Sequence, residues 1–108
     1  MKSFNGRVAA ITGAASGMGR ALALALAREG CHLALADKNQ TGLQQTVELI
    51  QRSSLAPILV TSREVDVADR QAMEDWAASC AAEHGQVNLI FNNAGVALSS
   101  TVEGVDYA

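Results

Sequence analysis

The amino-acid sequence predicts an α/β fold built on a parallel sheet. Short apolar runs alternate strictly with longer helix-like runs along the 108 residues. The segments joining successive apolar runs are too long for hairpins, so neighbouring strands run parallel with helices on the sheet faces. The first junction between the two kinds of run is rich in glycine, as a sharp strand-to-helix turn requires.

Val8 to Ile11 is the first strand, apolar on both faces as a buried parallel strand should be. The helix-like run Arg20 to Glu29 follows, with Arg28 in its last turn and Gly30 placed just past its end. Leu33 to Ala36 reads as a second buried strand, closed by Asp37. A second helix runs from about Thr41 or Gly42 to Ser53, where Leu43, Val47 and Ile50 form one apolar stripe. Pro57 breaks the chain before a third strand around Ile58 to Thr61, with Val65 as its furthest reach. Asp69 to His84 is a third helix with Met73, Trp76, Ala77 and Cys80 on one face, and Gly85 just beyond. Val87 to Phe91 is the fourth strand, ending in Asn92-Asn93-Ala94-Gly95. The order is β-α-β-α-β-α-β, and right-handed crossovers arrange the strands 3-2-1-4. Strands 1 and 4 then flank the switch point at which a ligand crevice opens. The tail from Val96 to Ala108 has no clear periodicity, and the chain holds no repeat, linker or low-complexity tract.

Between the first strand and the first helix lies Thr12-Gly13-Ala14-Ala15-Ser16-Gly17-Met18-Gly19. A helix N-terminus presents unpaired N–H groups and a partial positive charge, which favours a phosphate. Gly13 permits the tight turn, Gly17 leaves no Cβ between backbone and a pyrophosphate, and Gly19 lets the helix pack closely on the neighbouring strand. The spacing G-x-x-x-G-x-G departs from the general dinucleotide fingerprint. Asp37 falls 18 residues beyond Gly19, at the carboxyl end of the second strand. An acid there accepts hydrogen bonds from a ribose diol and repels a 2′-phosphate, which favours NAD over NADP. Lys38 beside it softens that discrimination.

Composition bounds the alternatives. Apolar residues make up 49% of the chain and charged residues 18%, as in a globular domain. The net charge of -3 and the lack of a basic cluster argue against a nucleic-acid or anionic-membrane partner. The longest unbroken apolar stretch, Ala21 to Ala27, is too short to span a bilayer, and Thr12 and Gly13 interrupt the N-terminal run before a signal-peptide core forms. A cytoplasmic protein is expected. Cys31 and Cys80 have no companions at metal-ligand or redox-motif spacing and read as buried structural thiols. No metal site is expected.

Thr12-Gly13-x-x-x-Gly17-x-Gly19, Asp37, Asp66-Val67 and Asn92-Asn93-Ala94-Gly95, in that order and spacing, resemble the short-chain dehydrogenase/reductase family over Gly6 to about Gly95. The resemblance implies the first half of a Rossmann-type doubly wound sheet that binds NAD. Gly13, Ser16, Gly17, Met18 and Gly19 would hold the pyrophosphate and adjoining ribose, with Ser16 near the adenosine side. That position is often basic in NADP users of the family, and here it is not. Asp66 and Val67 would face the adenine ring, the carboxylate taking its amino group; otherwise Asp66 simply precedes or caps a helix. Asn93, Ala94 and Gly95 would line the cofactor at the end of the fourth strand, with Thr12 as a local hydrogen-bonding partner.

Members of the family transfer hydride between a nicotinamide and an alcohol or ketone, using a Tyr-x-x-x-Lys pair as acid and base. A phenol needs a neighbouring ammonium to bring its pKa towards neutrality. The one tyrosine, Tyr107, stands too early and has no lysine four residues on. Ser99 and Ser100 lie too close behind Asn-Asn-Ala-Gly to match the family's serine, His32 begins a buried strand, and His84 suits the negative end of a helix. No catalytic residue is therefore assigned. The expectation is the N-terminal, cofactor-binding part of one domain, whose uncovered apolar faces favour self-association into a homo-oligomer. Two other readings stay open: a non-catalytic dinucleotide-binding module, and an α/β methyltransferase using the same crevice for a nucleoside. Asn-Asn-Ala-Gly and Asp66-Val67 speak against the methyltransferase.

Overall fold

The computed structural model describes residues 4–53 and 57–93. Seven elements follow one another: β1 (Val8–Thr12), α1 (Gly17–Arg28), β2 (His32–Asp37), α2 (Gln40–Ser53), β3 (Val60–Glu64), α3 (Arg70–His84) and β4 (Leu89–Asn92). The strands form one parallel sheet in the order β3-β2-β1-β4, as the alternation predicts. Thr12 pairs with Ala36 on one side and Asn92 on the other, and Asp37 pairs with Glu64. The carboxyl ends of all four strands therefore meet along one edge of the sheet.

Side-chain size divides the two faces. Ile11, Leu33 and Leu35 point towards α1 and α2, where they pack with Leu26, Leu43 and Ile50. The alternate positions Ala10, Ala34 and Ala36 face α3, and their small volume makes room for Trp76 beside Cys80. Both thiols are buried, and burial pushes each up to about 11, so neither is a ready nucleophile at neutral pH.

Helix ends follow local chemistry. Gly30 closes α1, its N–H donating to Ala27 while Cys31 N–H reaches Leu26 O at 3.1 Å. These paired bonds satisfy the last orphan carbonyls of the helix. Asp69 caps α3 by accepting from Ala72 N–H at 3.0 Å, so that helix starts one residue later than its cap.

Departures from the sequence reading fall on β3, β4 and one face of α3, and α1 begins at Gly17 rather than Arg20. β3 begins at Val60 rather than Ile58 and continues through the exposed residues Ser62, Arg63 and Glu64. An edge strand can carry polar residues that a central one cannot, which hides it from hydrophobicity. β4 begins at Leu89; just before it, Asn88 N–H donates to Val8 O while Val8 N–H donates to the Asn88 side-chain Oδ1, both at 2.8 Å. On α3, Ala77 is exposed, and Ala72 packs with Met73 against the Trp76 cluster instead.

His84 also departs from expectation. It accepts or donates at Nε2 with Thr61 Oγ1 (2.9 Å), while its Nδ1 is buried without a partner. Burial lowers its pKa from the ordinary 6.5; Glu83 opposes the shift and His32 adds to it. It serves as a neutral bridge from α3 to β3 rather than a cation at a helix end. Because the folded form holds the proton less tightly than the unfolded chain, stability is full above pH 6.5 and is lost as pH falls from there through the lower folded value. Thermal melting between about pH 8 and pH 5 should show this decline, and His84→Gln should flatten it.

Candidate functional site

The switch point between β1 and β4 opens into a crevice of about 530 Å³ at the carboxyl edge of the sheet. One wall is the glycine turn, contributing Gly13, Ser16 and Met18. The other is the end of β2 with Asp37 and Lys38, and the segment after β3 with Val65, Asp66, Val67 and Ala68; Asn93 forms the floor beside β1. Of the expected site residues, Gly13, Ser16, Met18, Asp37, Asp66, Val67 and Asn93 thus meet at one place. Gly17 and Gly19 shape the turn without lining the crevice. Ala94 and Gly95, with Ser99, Ser100 and Tyr107, lie outside the described residues.

Each glycine of the turn has a separate cause. Gly13 has φ +69° and Gly17 φ +58°, the left-handed region that other residues enter at a cost. A Cβ built on Gly17 meets nothing within 4 Å, leaving open space at the start of α1. At Gly19 the reverse holds: a Cβ would lie 1.9 Å from Gly13 O and 2.9 Å from Asn93 Nδ2. The closest approach is therefore to the turn's own first glycine, with the Asn93 side chain at the end of β4 next.

The start of α1 is left available for an anion. Ser16 stands at the cap position in an extended conformation without a side-chain capping bond, and the first turn carries no acidic residue. The positive end of the helix dipole therefore faces the crevice mouth uncompensated. Met18, 73% exposed, stands at that mouth.

Asp37 ties the two walls together. Its Oδ2 accepts from Ala15 N–H and its Oδ1 from Asn39 N–H, both at 2.9 Å. Each oxygen retains acceptor capacity, and the carboxylate lines the crevice. Asp66 folds a turn onto itself, Oδ1 accepting from Ala68 N–H at 2.9 Å and its carbonyl accepting from Asp69 N–H. It both precedes the cap of α3 and lines the crevice. At the floor, Thr12 Oγ1 accepts from Asn93 N–H at 2.9 Å and donates to Phe91 O at 3.4 Å, fixing the end of β4 against β1.

Sequence reasoning missed the support behind the turn. Arg20 and the buried Thr46 bind the carbonyls of Ala14 and Ala15 from the rear. The available signal was a threonine inside the apolar stripe of α2, which must find a polar partner when buried. Among the described residues no group of His, Cys, Asp and Glu could hold a metal ion, and no helix is long and apolar enough to cross a membrane.

The family model for short chain dehydrogenases matches residues 7–107, and the chain belongs to that family. It is 43% identical over 107 residues to SadH of Mycobacterium tuberculosis, covering 99% of this chain and 38% of SadH. Among solved structures, it resembles a short-chain dehydrogenase/reductase from Burkholderia phymatum in complex with NAD, with a TM-score of 0.81 and 38% identity. That match covers 89% of this chain and 33% of the other. It also resembles NAD+-bound xylitol dehydrogenase, with a TM-score of 0.81 and 34% identity over 88% of this chain and 35% of that one. The chain thus spans about a third of the length of these three relatives.

Proposed function

We propose that residues 1–108 form the cofactor-binding part of a dinucleotide-binding domain in an oxidoreductase that interconverts a secondary alcohol and a ketone. The observation that carries this reading is the joining of the phosphate-type turn to an acid at the end of β2, through the 2.9 Å bond from Ala15 N–H to Asp37 Oδ2. The residues present fit the group: the uncapped helix start at Ser16 and Met18 and the anchored Asp37 carboxylate line a single crevice, and Gly17 between them leaves open space. NAD-bound members of the family with the same fold support it.

When bound, the dinucleotide supplies a nicotinamide that accepts or donates hydride. This chain's residues do the holding. The start of α1 at Gly17 and Met18 receives the pyrophosphate, with Ser16 towards the adenosine side. Asp37 accepts from the adenosine ribose diol, and Asp66 and Val67 border the adenine. Asn93 stands towards the reacting end, held there by Thr12, and Ala94 and Gly95 are proposed to contact the cofactor as well. Residues 1–108 contain no Tyr-x-x-x-Lys, so the acid–base chemistry is assigned to other parts of the whole protein. The alcohol or ketone substrate and any homo-oligomer belong to that whole.

NAD is proposed over NADP, because a 2′-phosphate would meet the Asp37 carboxylate directly. Lys38, also on the crevice, limits the penalty without removing the acid. Calorimetric titration with NAD and NADP in parallel tests this. NAD should bind at least about tenfold more tightly, a difference of about 1.4 kcal/mol. Equal or reversed affinities would overturn the NAD preference, and no binding of either would overturn the cofactor reading.

A further inference from the structure

We propose that Arg20 and Thr46 are positioning residues that lock the turn at Ala14-Ala15 to α2, so that the pyrophosphate and ribose subsites keep a fixed separation. The inference rests on the cofactor reading above and adds residues that touch no cofactor.

The network is closed. Thr46 is fully buried, and its Oγ1 lies 2.7 Å from Ala14 O and 3.2 Å from Gly42 O. The hydroxyl has one proton; the shorter distance assigns it to Ala14. Thr46 Oγ1 in turn accepts from Arg20 Nε–H at 2.9 Å. Arg20 Nη2 donates to Ala15 O, to Gly42 O at 3.0 Å and to Gln45 Oε1 at 3.3 Å. None of these partners is a carboxylate. The guanidinium is committed to fixing main-chain oxygens rather than to an ion pair.

The consequence lies at Ala15 itself. Ala15 N–H is held by Asp37 and Ala15 C=O by Arg20, so one residue is gripped from the crevice side and from the rear. Gly42 brings α2 close enough for this: a Cβ there would lie 2.9 Å from Ala15 Cβ and 3.0 Å from Ala15 O. A ligand that uses both the turn and Asp37 gains from a turn already in place, because less ordering entropy is lost on binding. Adenosine alone needs only the Asp37 side.

The test compares Thr46→Val, which keeps the branched shape and loses the hydroxyl, with Thr46→Ser, which keeps the hydroxyl and loses the methyl. NAD and adenosine are titrated calorimetrically into the wild-type protein and each variant, with folding checked by circular dichroism. We expect Thr46→Ser to bind NAD within about twofold of wild type and Thr46→Val to bind about tenfold more weakly, with a smaller loss for adenosine. Plain core packing predicts the opposite order, with Thr46→Val the better variant, and that order overturns the proposal. Equal losses for NAD and adenosine overturn it too. Should Thr46→Val fail to fold, Arg20→Lys carries the test. One ammonium cannot reach all the oxygens a guanidinium spans, so the variant should weaken NAD several-fold and adenosine less; unchanged NAD affinity overturns the clamp. A wild-type protein that binds neither ligand overturns the cofactor reading itself, and the clamp with it.

Discussion

Gly19→Ala is expected to be the most damaging single methyl group that can be added to this chain. The new Cβ would sit 1.9 Å from Gly13 O and 2.6 Å from Gly13 C, both main-chain atoms that cannot rotate away. Relief requires the whole turn to lift from α1, which also disturbs Asn93 at 2.9 Å. Overpacking of this severity costs about 3 kcal/mol or more, a large part of a small domain's stability. Denaturant unfolding should show the loss, and NAD affinity should fall with it even where the variant remains folded. Gly17→Ala is the informative contrast. Its φ of +58° makes the methyl group cost about 1–2 kcal/mol, yet nothing lies within 4 Å to clash with it. That variant should fold and still bind dinucleotide poorly, because the added methyl occupies space the pyrophosphate needs. Unimpaired binding by Gly17→Ala would contradict the placement of the phosphates.

Asp37→Ala should have the largest effect on affinity of any side-chain removal. The substitution deletes the proposed acceptor for the ribose diol and leaves Ala15 N–H and Asn39 N–H without their 2.9 Å partners. A charge-assisted hydrogen bond contributes about 1.5–3 kcal/mol, so NAD affinity should drop about 10- to 100-fold. The preference for NAD over NADP should shrink at the same time, since the group that repels a 2′-phosphate is gone and Lys38 remains. Asp37→Asn separates the two roles: it retains one acceptor oxygen for the backbone and removes the charge. It should bind NAD better than Asp37→Ala while losing most of the discrimination. Parallel titrations with both cofactors check each part.

How much of this was legible in the sequence differs by element, for physical reasons. β1 and β2 are buried on both faces, so their unbroken apolar runs locate them to within a residue at each end. The Leu43, Val47 and Ile50 stripe gave α2 because all three sit against the same core. The starts of β3 and β4 were set too early, at Ile58 and Val87, because both are apolar while pairing begins only at Val60 and Leu89. The crevice residues were legible because glycine and acid carry positional meaning at strand ends. Arg20 and Thr46 were not, because their partners are carbonyl oxygens brought near only by the tertiary approach of α2 at Gly42. The structural role of His84 was legible from its place in the last turn of α3, but its bond to Thr61 and the lowering of its pKa by burial were not, because the sequence does not display burial.

The central claim is that one crevice, walled by the glycine turn and Asp37, takes a dinucleotide. A titration of the isotope-labelled protein with NAD, followed residue by residue through its backbone amide resonances, tests it most directly. The account predicts saturable shifts concentrated at Gly13, Ser16, Gly17, Met18, Asp37, Asp66 and Asn93, with α3 beyond its first turn unmoved. Shifts absent from those amides, or gathered elsewhere on the sheet, would contradict it.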